Sequence, residues 1–163
     1  MDLHAAARRP LLPALGAGLL LLSLTACLGA GDPKRDAASG DITEAADADV
    51  LALRVGDCLV MSDVAEGLVD SVPTVPCSDP HDGEVYAEKV LAGDALPADA
   101  DDQADEFCVT EFESFVGLPY ADSVLSMAVL RPTEDSWDAG DRTVQCIVHP
   151  VEDVTGSLAG AGV

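Results

Sequence analysis

The chain has 163 residues, with 8 Lys+Arg against 30 Asp+Glu and a formal net charge of −22. Such a balance excludes nucleic acid as a partner, because phosphates need Lys and Arg to displace their counterions. It equally excludes flat adsorption on anionic lipid, where basic residues supply the attraction.

Met1 to Pro10 carries Arg8 and Arg9 with one acid, Asp2, and a nearly wholly apolar run follows from Leu11 to Leu24. This is the basic and then apolar layout of an export signal. The run is shorter than the roughly 20 apolar residues of an ordinary membrane span. Arg8-Arg9 matches a twin-arginine signal poorly in its flanks, so the general export route is expected. The run ends in Leu24-Thr25-Ala26-Cys27, which resembles the lipobox of bacterial lipoproteins. The resemblance implies that residues 1–26 are a signal peptide and that Cys27 is lipidated by palmitate-type chains. It places the mature chain on the extracytoplasmic face of the cell membrane. One acyl chain holds only marginally, at about 0.8 kcal/mol per buried CH₂, whereas the two or more implied here anchor stably. Removing Arg8, Arg9 and Asp2 leaves 6 basic against 29 acidic residues, a net −23 for the exported part.

Residues 27–49 contain Gly, Ala, Asp, Ser and Thr with only Leu28 and Ile42 as large apolar side chains. That composition predicts a flexible tether with a span of about 25 Å. The expected domain covers residues 50–150. Leu51 to Met61 reads as a strand interrupted at Gly56-Asp57, and Ser62 to Thr74 as turn-rich. Glu84 to Leu91 is the clearest strand, with Val85 and Ala87 alternating against Glu84, Tyr86 and Glu88 until Val90 breaks the parity. The one convincing helix runs from about Asp99 to Val116. Its apolar set is Ala104, Phe107, Cys108, Phe112 and Phe115, acids crowd its first turns, and Gly117 and Pro119 end it. Val124 to Leu130 reads as a buried strand, Pro132 to Gly140 as a turn holding Trp137, and Arg142 to His149 as a further strand. Residues 151–163 read as a partly ordered tail. The predicted fold is α+β, a small sheet of three to four strands packed on one helix and stapled by two disulfides.

The disulfides follow from cysteine usage. Setting Cys27 aside leaves Cys58, Cys77, Cys108 and Cys146, and an even number in an exported domain reads as a disulfide framework. Three pairings are open. Cys58–Cys77 with Cys108–Cys146 is preferred because each loop then stays local, contributing about 3 and about 4 kcal/mol by loop entropy. Zinc is the competing reading, but no Cys-x-x-Cys occurs and only His81 and His149 add soft ligands. No metal and no cofactor is expected.

Several fragments then line up in order. They are Val55-Gly56-Asp57-Cys58-Leu59, Val75 through Val85 with Pro80-His81-Asp82, and Cys108 with Phe112 through Gly117. Arg131-Pro132-Thr133, Ser136-Trp137 and Gly140 through Cys146 complete the series. Together they resemble the actinobacterial septum formation domain family. The resemblance implies a membrane-attached, extracytoplasmic domain without an established enzymatic activity and with a link to cell division or the envelope. It assigns the four cysteines a structural role.

No catalytic set emerges. Ser78, Ser126 and Ser136 lack a Gly-x-Ser-x-Gly context, and Asp99 to Glu106 lacks the glycine and ligand spacing of an EF-hand loop. His81, Trp137 and Arg142 are the candidates for an interaction surface, Trp and Arg being enriched in binding hot spots. The expected function is therefore a lipid-anchored binding module of the cell envelope, not an enzyme, with an envelope protein or wall polymer as partner. The alternative is an extracytoplasmic hydrolase or metal-binding protein using His81 and nearby acids.

Overall fold

The computed structural model describes residues 31–64 and 69–163. The expected signal segment, the Leu24-Thr25-Ala26-Cys27 motif and Leu68 lie outside the described residues. Strands β1 (Ala46–Asp49), β2 (Cys58–Leu59), β3 (Ser71–Val75) and β4 (Gly83–Val90) precede helix α1 (Ala100–Val116). Strand β5 (Ser126–Leu130), the short helix α2 (Glu134–Asp138) and β6 (Thr143–His149) follow. The strands make one antiparallel sheet in the order β1-β3-β2-β4-β6-β5. The α+β class is as expected, but the sheet has six strands rather than three or four.

The two extra strands, β1 and β3, are the ones with poor local signals. β3 contains Pro73, which cannot donate to a ladder and normally argues against an interior strand. Its carbonyl accepts from Val60 N at 2.9 Å, so its missing N–H faces just beyond the two-residue β2, where no ladder is interrupted. β1 reads Ala-Asp-Ala-Asp, residues depleted in strands. It forms because Ala48 is fully buried opposite Val72 and because the Thr74 hydroxyl donates to the Ala46 carbonyl at 2.9 Å. The expected strand at Leu51 to Met61 shrinks to β2. Asp49 caps Leu51 N at 2.8 Å and turns Val50–Ala52 into a single 3₁₀ turn.

Residues 31–49, expected as a flexible tether, pack onto the domain instead. Gly31 bridges Ala48, Arg35 bridges Ile42, and Ile42 is buried. The Arg35 guanidinium clamps Asp57, with Nη2 at 2.7 Å from Oδ2, and also donates to the Ala52 carbonyl at 3.1 Å. A buried ion pair holds this stretch where apolar side chains are too few to do so, and composition alone does not show it. The Asp57 hydrogen bond, more than any other influence, keeps the Arg35 guanidinium firmly charged, against a smaller opposing effect of burial.

Helix α1 buries Ala100, Ala104, Cys108, Phe112 and Val116, a strict i, i+4 stripe, and ends at Gly117 with φ 84°. Phe107 and Phe115 flank that stripe half-buried. The stripe covers β4, β5 and β6 together with Tyr86, Trp137, Val144, Val148 and Leu158. The opposite face of the sheet has a second core of Ala48, Leu53, Leu59, Val72, Val85 and Ile147. A register shift between Val85 and Ala87 in β4 sends Val85 to one core and Tyr86 and Ala87 to the other. The break in alternation therefore falls at Tyr86 and not at Val90. The Tyr86 hydroxyl donates to the Cys108 carbonyl at 2.7 Å, and its ring meets Phe112 edge-on at 5.8 Å. The 151–163 segment is also part of the fold: Leu158 is buried, and Gly160 N and Gly162 N donate to the last turn of α1.

Two predictions follow from these contacts. Arg35→Ala strands the buried Asp57 carboxylate and should cost about 3 kcal/mol, read as a lower urea midpoint; an unchanged midpoint would mean that residues 31–49 are not held by this pair. Burial, then the neighbouring Tyr120 and Glu111, raises the Tyr86 phenol above its usual value. A group whose folded pKa is raised stabilises the fold below its unfolded pKa and ceases to as pH climbs towards the folded value. Stability should therefore decline from about pH 10 upward, with a shallower decline in Tyr86→Phe.

Candidate functional site

Two places combine geometry with chemistry. The first is a buried polar cluster at the start of β4. His81 and Glu84 are 1% and 2% exposed, and Cys58 on the neighbouring β2 is fully buried. One donor atom from each of the three lies within 4.8 Å of the others. The His81 Nδ1 atom meets the Asp79 carbonyl at 2.8 Å, so Nδ1 carries the proton and donates it. Its Nε2 is then a bare acceptor. Among the described residues it is the only buried side-chain nitrogen or oxygen without a hydrogen-bond partner. Glu84 is well served: Ser157 Oγ donates to Oε1 and Leu158 N to Oε2, both at 2.6 Å. Next to it, Asp82 accepts from Met61 N and, at 2.9 Å, from Ser62 N.

The disulfides frame this cluster. Cys58 is bonded to Cys77, and Cys108 to Cys146, the pairing preferred from loop lengths. The first bond holds the loop before His81 against β2. The second ties the inner face of α1 to β6. With Cys58 engaged in a disulfide its sulfur is not a thiolate, and the cluster lacks the anionic sulfur that zinc takes.

The second place is a groove of about 610 Å³ between the two ends of the sheet. Val50, Leu51 and Val69 come from the β1 and β3 side, and Val129 and Leu130 from β5. Residues from opposite ends of the strand order meet here, so the sheet curls. β5 pairs only with β6, and among the described residues its other edge has no partner. The expectation that Val124 to Leu130 is a buried strand thus gives way to a half-exposed edge strand, with Val124 71% exposed. The groove's acids are Asp49, Asp70, Asp135 and Asp141, against one base, Arg131, which is drawn towards Asp101 and Asp105 of α1 at 3.3 and 3.5 Å.

The three residues expected to form an interaction surface do not share one. His81 and Trp137 are buried, and His81 does not line the groove. Trp137 sits in α2, where Thr133 and Ser136 form a capping box, so a helical turn stands where the Pro132 to Gly140 composition predicts a plain turn. The Arg142 guanidinium lies 3.8 Å from the Trp137 ring centroid and donates to the Trp137 carbonyl at 2.6 Å. Both side chains are spent on packing α2 against the core. The groove escapes sequence reading because its two walls are about sixty to eighty residues apart along the chain. The alternation of β5 alone held no sign of an unpaired edge. Cys27 lies outside the described residues.

The sequence matches the septum formation family over residues 55–162. The chain belongs to that family. The match includes the 151–162 stretch, in keeping with the burial of Leu158 and its hold on Glu84. Comparison with curated proteins and with solved structures gives no significant match. The family is described by septum formation, a step of cell division.

The hold of the C-terminal segment on Glu84 is testable. Ser157→Ala removes one charge-assisted hydrogen bond from a buried carboxylate and should lower stability by about 1.5–3 kcal/mol. A melting temperature equal to that of the wild type would show that Ser157 contributes nothing to holding Glu84 in place.

Proposed function

We propose that this protein is a lipid-anchored, extracytoplasmic interaction module of the dividing cell envelope, held by Cys27 and binding an extended, basic segment of an envelope protein. The single observation behind the binding half is the groove between β5 and the β1–β3 end of the sheet, with an apolar floor beside a strand edge that is unpaired among the described residues. An extended peptide laid along such an edge gains main-chain hydrogen bonds and places alternate side chains into the groove. The rim selects the charge. Four acids face one arginine already engaged by α1, so Lys or Arg on the incoming strand is favoured and acidic strands are repelled. The net −23 of the exported part adds long-range attraction for basic partners.

The division half rests on the family match. The anchoring half rests on the Leu24-Thr25-Ala26-Cys27 motif behind its apolar run. The hydrolase reading needs a cleft reaching His81, and His81 is 1% exposed and outside the groove. It is left without an observation in its favour.

One experiment separates the halves. A fluorescent fusion of the full chain is imaged in dividing cells beside a variant carrying Leu51→Lys, Asp70→Lys and Asp135→Lys. These side chains are exposed groove positions, so the fold should change by no more than about 0.5 kcal/mol for each. The wild type should concentrate at division sites and the variant should spread over the membrane. A uniform wild type sinks the division reading, and a variant that still concentrates sinks the groove. Cys27→Ser should release the fusion from the membrane; retention there would overturn the lipid anchor.

A further inference from the structure

The strongest unassigned chemistry lies in the buried cluster, apart from the groove. We propose that Cys58, His81 and Glu84 form a zinc-class metal site that opens when the Cys58–Cys77 disulfide is reduced, so that the disulfide and the metal are alternative states of Cys58.

The donor set comes first. Thiolate sulfur, imidazole nitrogen and carboxylate oxygen are the three ligand types of zinc and its borderline-soft neighbours, and unlike the all-oxygen sets of calcium or magnesium. Donor atoms of the three residues already lie within 4.8 Å of one another. Bonds of about 2.0–2.3 Å to a common centre need them only to draw in slightly. The second observation is His81 itself. Its Nε2 is buried, carries the lone pair and has no hydrogen-bond partner among the described residues, while Nδ1 donates to the Asp79 carbonyl. That is the arrangement by which metal-binding histidines are oriented, the outer nitrogen fixed by a carbonyl and the inner one left to the ion. Glu84 is steadied in the same way by Ser157 and Leu158. A divalent ion with one thiolate, one carboxylate and a neutral imidazole is charge-neutral, which a buried position requires.

Access and balance are also on hand. Cys77 is partly exposed, on a loop whose Ser78, Asp79 and Pro80 are exposed, whereas Cys58 is fully buried. A dithiol reductant attacks the Cys77 sulfur through its thiolate and forms a mixed disulfide, and Cys58 leaves as thiolate. The second thiol of the reductant then attacks its own sulfur in that mixed disulfide and frees Cys77, which takes up a proton. Two electrons pass from the dithiol to the protein, and the dithiol ends as its cyclic disulfide. Of its two protons one goes to Cys77, and the other is released because Cys58 stays ionised on the metal. Water fills the fourth position, since Cys77 leaves the exchange as a neutral thiol.

The test uses the full chain, reduced by a dithiol without oxygen, freed of reductant and titrated with Co²⁺. The Cys108–Cys146 bond is fully buried and should survive native reduction, which a thiol count checks. The reduced chain should take up one Co²⁺ with a thiolate-to-cobalt charge-transfer band that Zn²⁺ abolishes, and the oxidised chain none. Cys77→Ser, which leaves Cys58 free without any reductant, should bind in the same way. His81→Ala in that background should weaken binding about a hundredfold, at least the upper end of what outer-shell changes do. Absence of the band from both the reduced chain and Cys77→Ser overturns the site. So does a His81→Ala affinity equal to that of its parent.

Discussion

The bond between Cys108 and Cys146 joins the inner face of α1 to the centre of β6, and much of the molecule is arranged around that junction. It fixes which face of the helix meets the sheet. With Cys108 pinned, the i, i+4 stripe of Ala104, Phe112 and Val116 falls on Tyr86, Val144 and Val148 without further adjustment. Tyr86 then reaches the Cys108 carbonyl, and the β4 irregularity beside it becomes a consequence of serving two cores from one strand. The C-terminal segment closes the same layer, since Leu158 packs where the end of α1 and β4 converge.

Away from that junction the fold relies on buried charge. Asp57, Asp82 and Glu84 are all nearly inaccessible, yet each has donors: Arg35 and Arg54 N for Asp57, backbone N–H groups for Asp82, and Ser157 with Leu158 for Glu84. Such groups cost heavily when unpaired and little when fully served. They also act over long sequence distances, tying the residues around Arg35 and those around Ser157 onto the same small sheet. His81 Nε2 is the exception to this accounting, and its lack of a partner beside a disulfide sulfur is what gives the cluster a chemical reading beyond packing.

The groove arises from the opposite condition, an edge left unpaired among the described residues. A curled six-stranded sheet that does not close has two free edges, and natural sheets protect such edges with charge or cover. Here β1 receives a bridge from Gly31, while β5 is flanked by Asp135, Asp141 and Arg131. Acidic flanks discourage pairing with further copies of this acidic chain and leave the edge open to a basic strand. Family membership ties the chain to septum formation, and the binding proposed for the groove would give it a physical means of recognition there.

Local pattern alone determined the parts whose signals repeat within a few residues. The i, i+4 stripe marked α1, Gly117 marked its end, the even set of cysteines after Cys27 marked two bridges, and the ordered motifs from Val55 to Cys146 marked the family. Tertiary structure decided everything that depended on partners distant in the chain. β3 exists despite Pro73 because β2 is too short to need its N–H, and β1 exists despite Ala-Asp-Ala-Asp because Ala48 fills a place beside Val72. Residues 31–49 and 151–163 read as loose because their compositions are poor in apolar side chains. They are ordered by Arg35 on Asp57 and by Glu84 on Ser157 and Leu158, contacts spanning 22 and more than 70 positions. Cys27 lies outside the described residues, and the lipid anchor proposed for it rests on the sequence motif alone. The groove and the His81 cluster belong to the fold, because only folding brings the two ends of the sheet, or a cysteine sulfur, an imidazole and a carboxylate, within reach of one another.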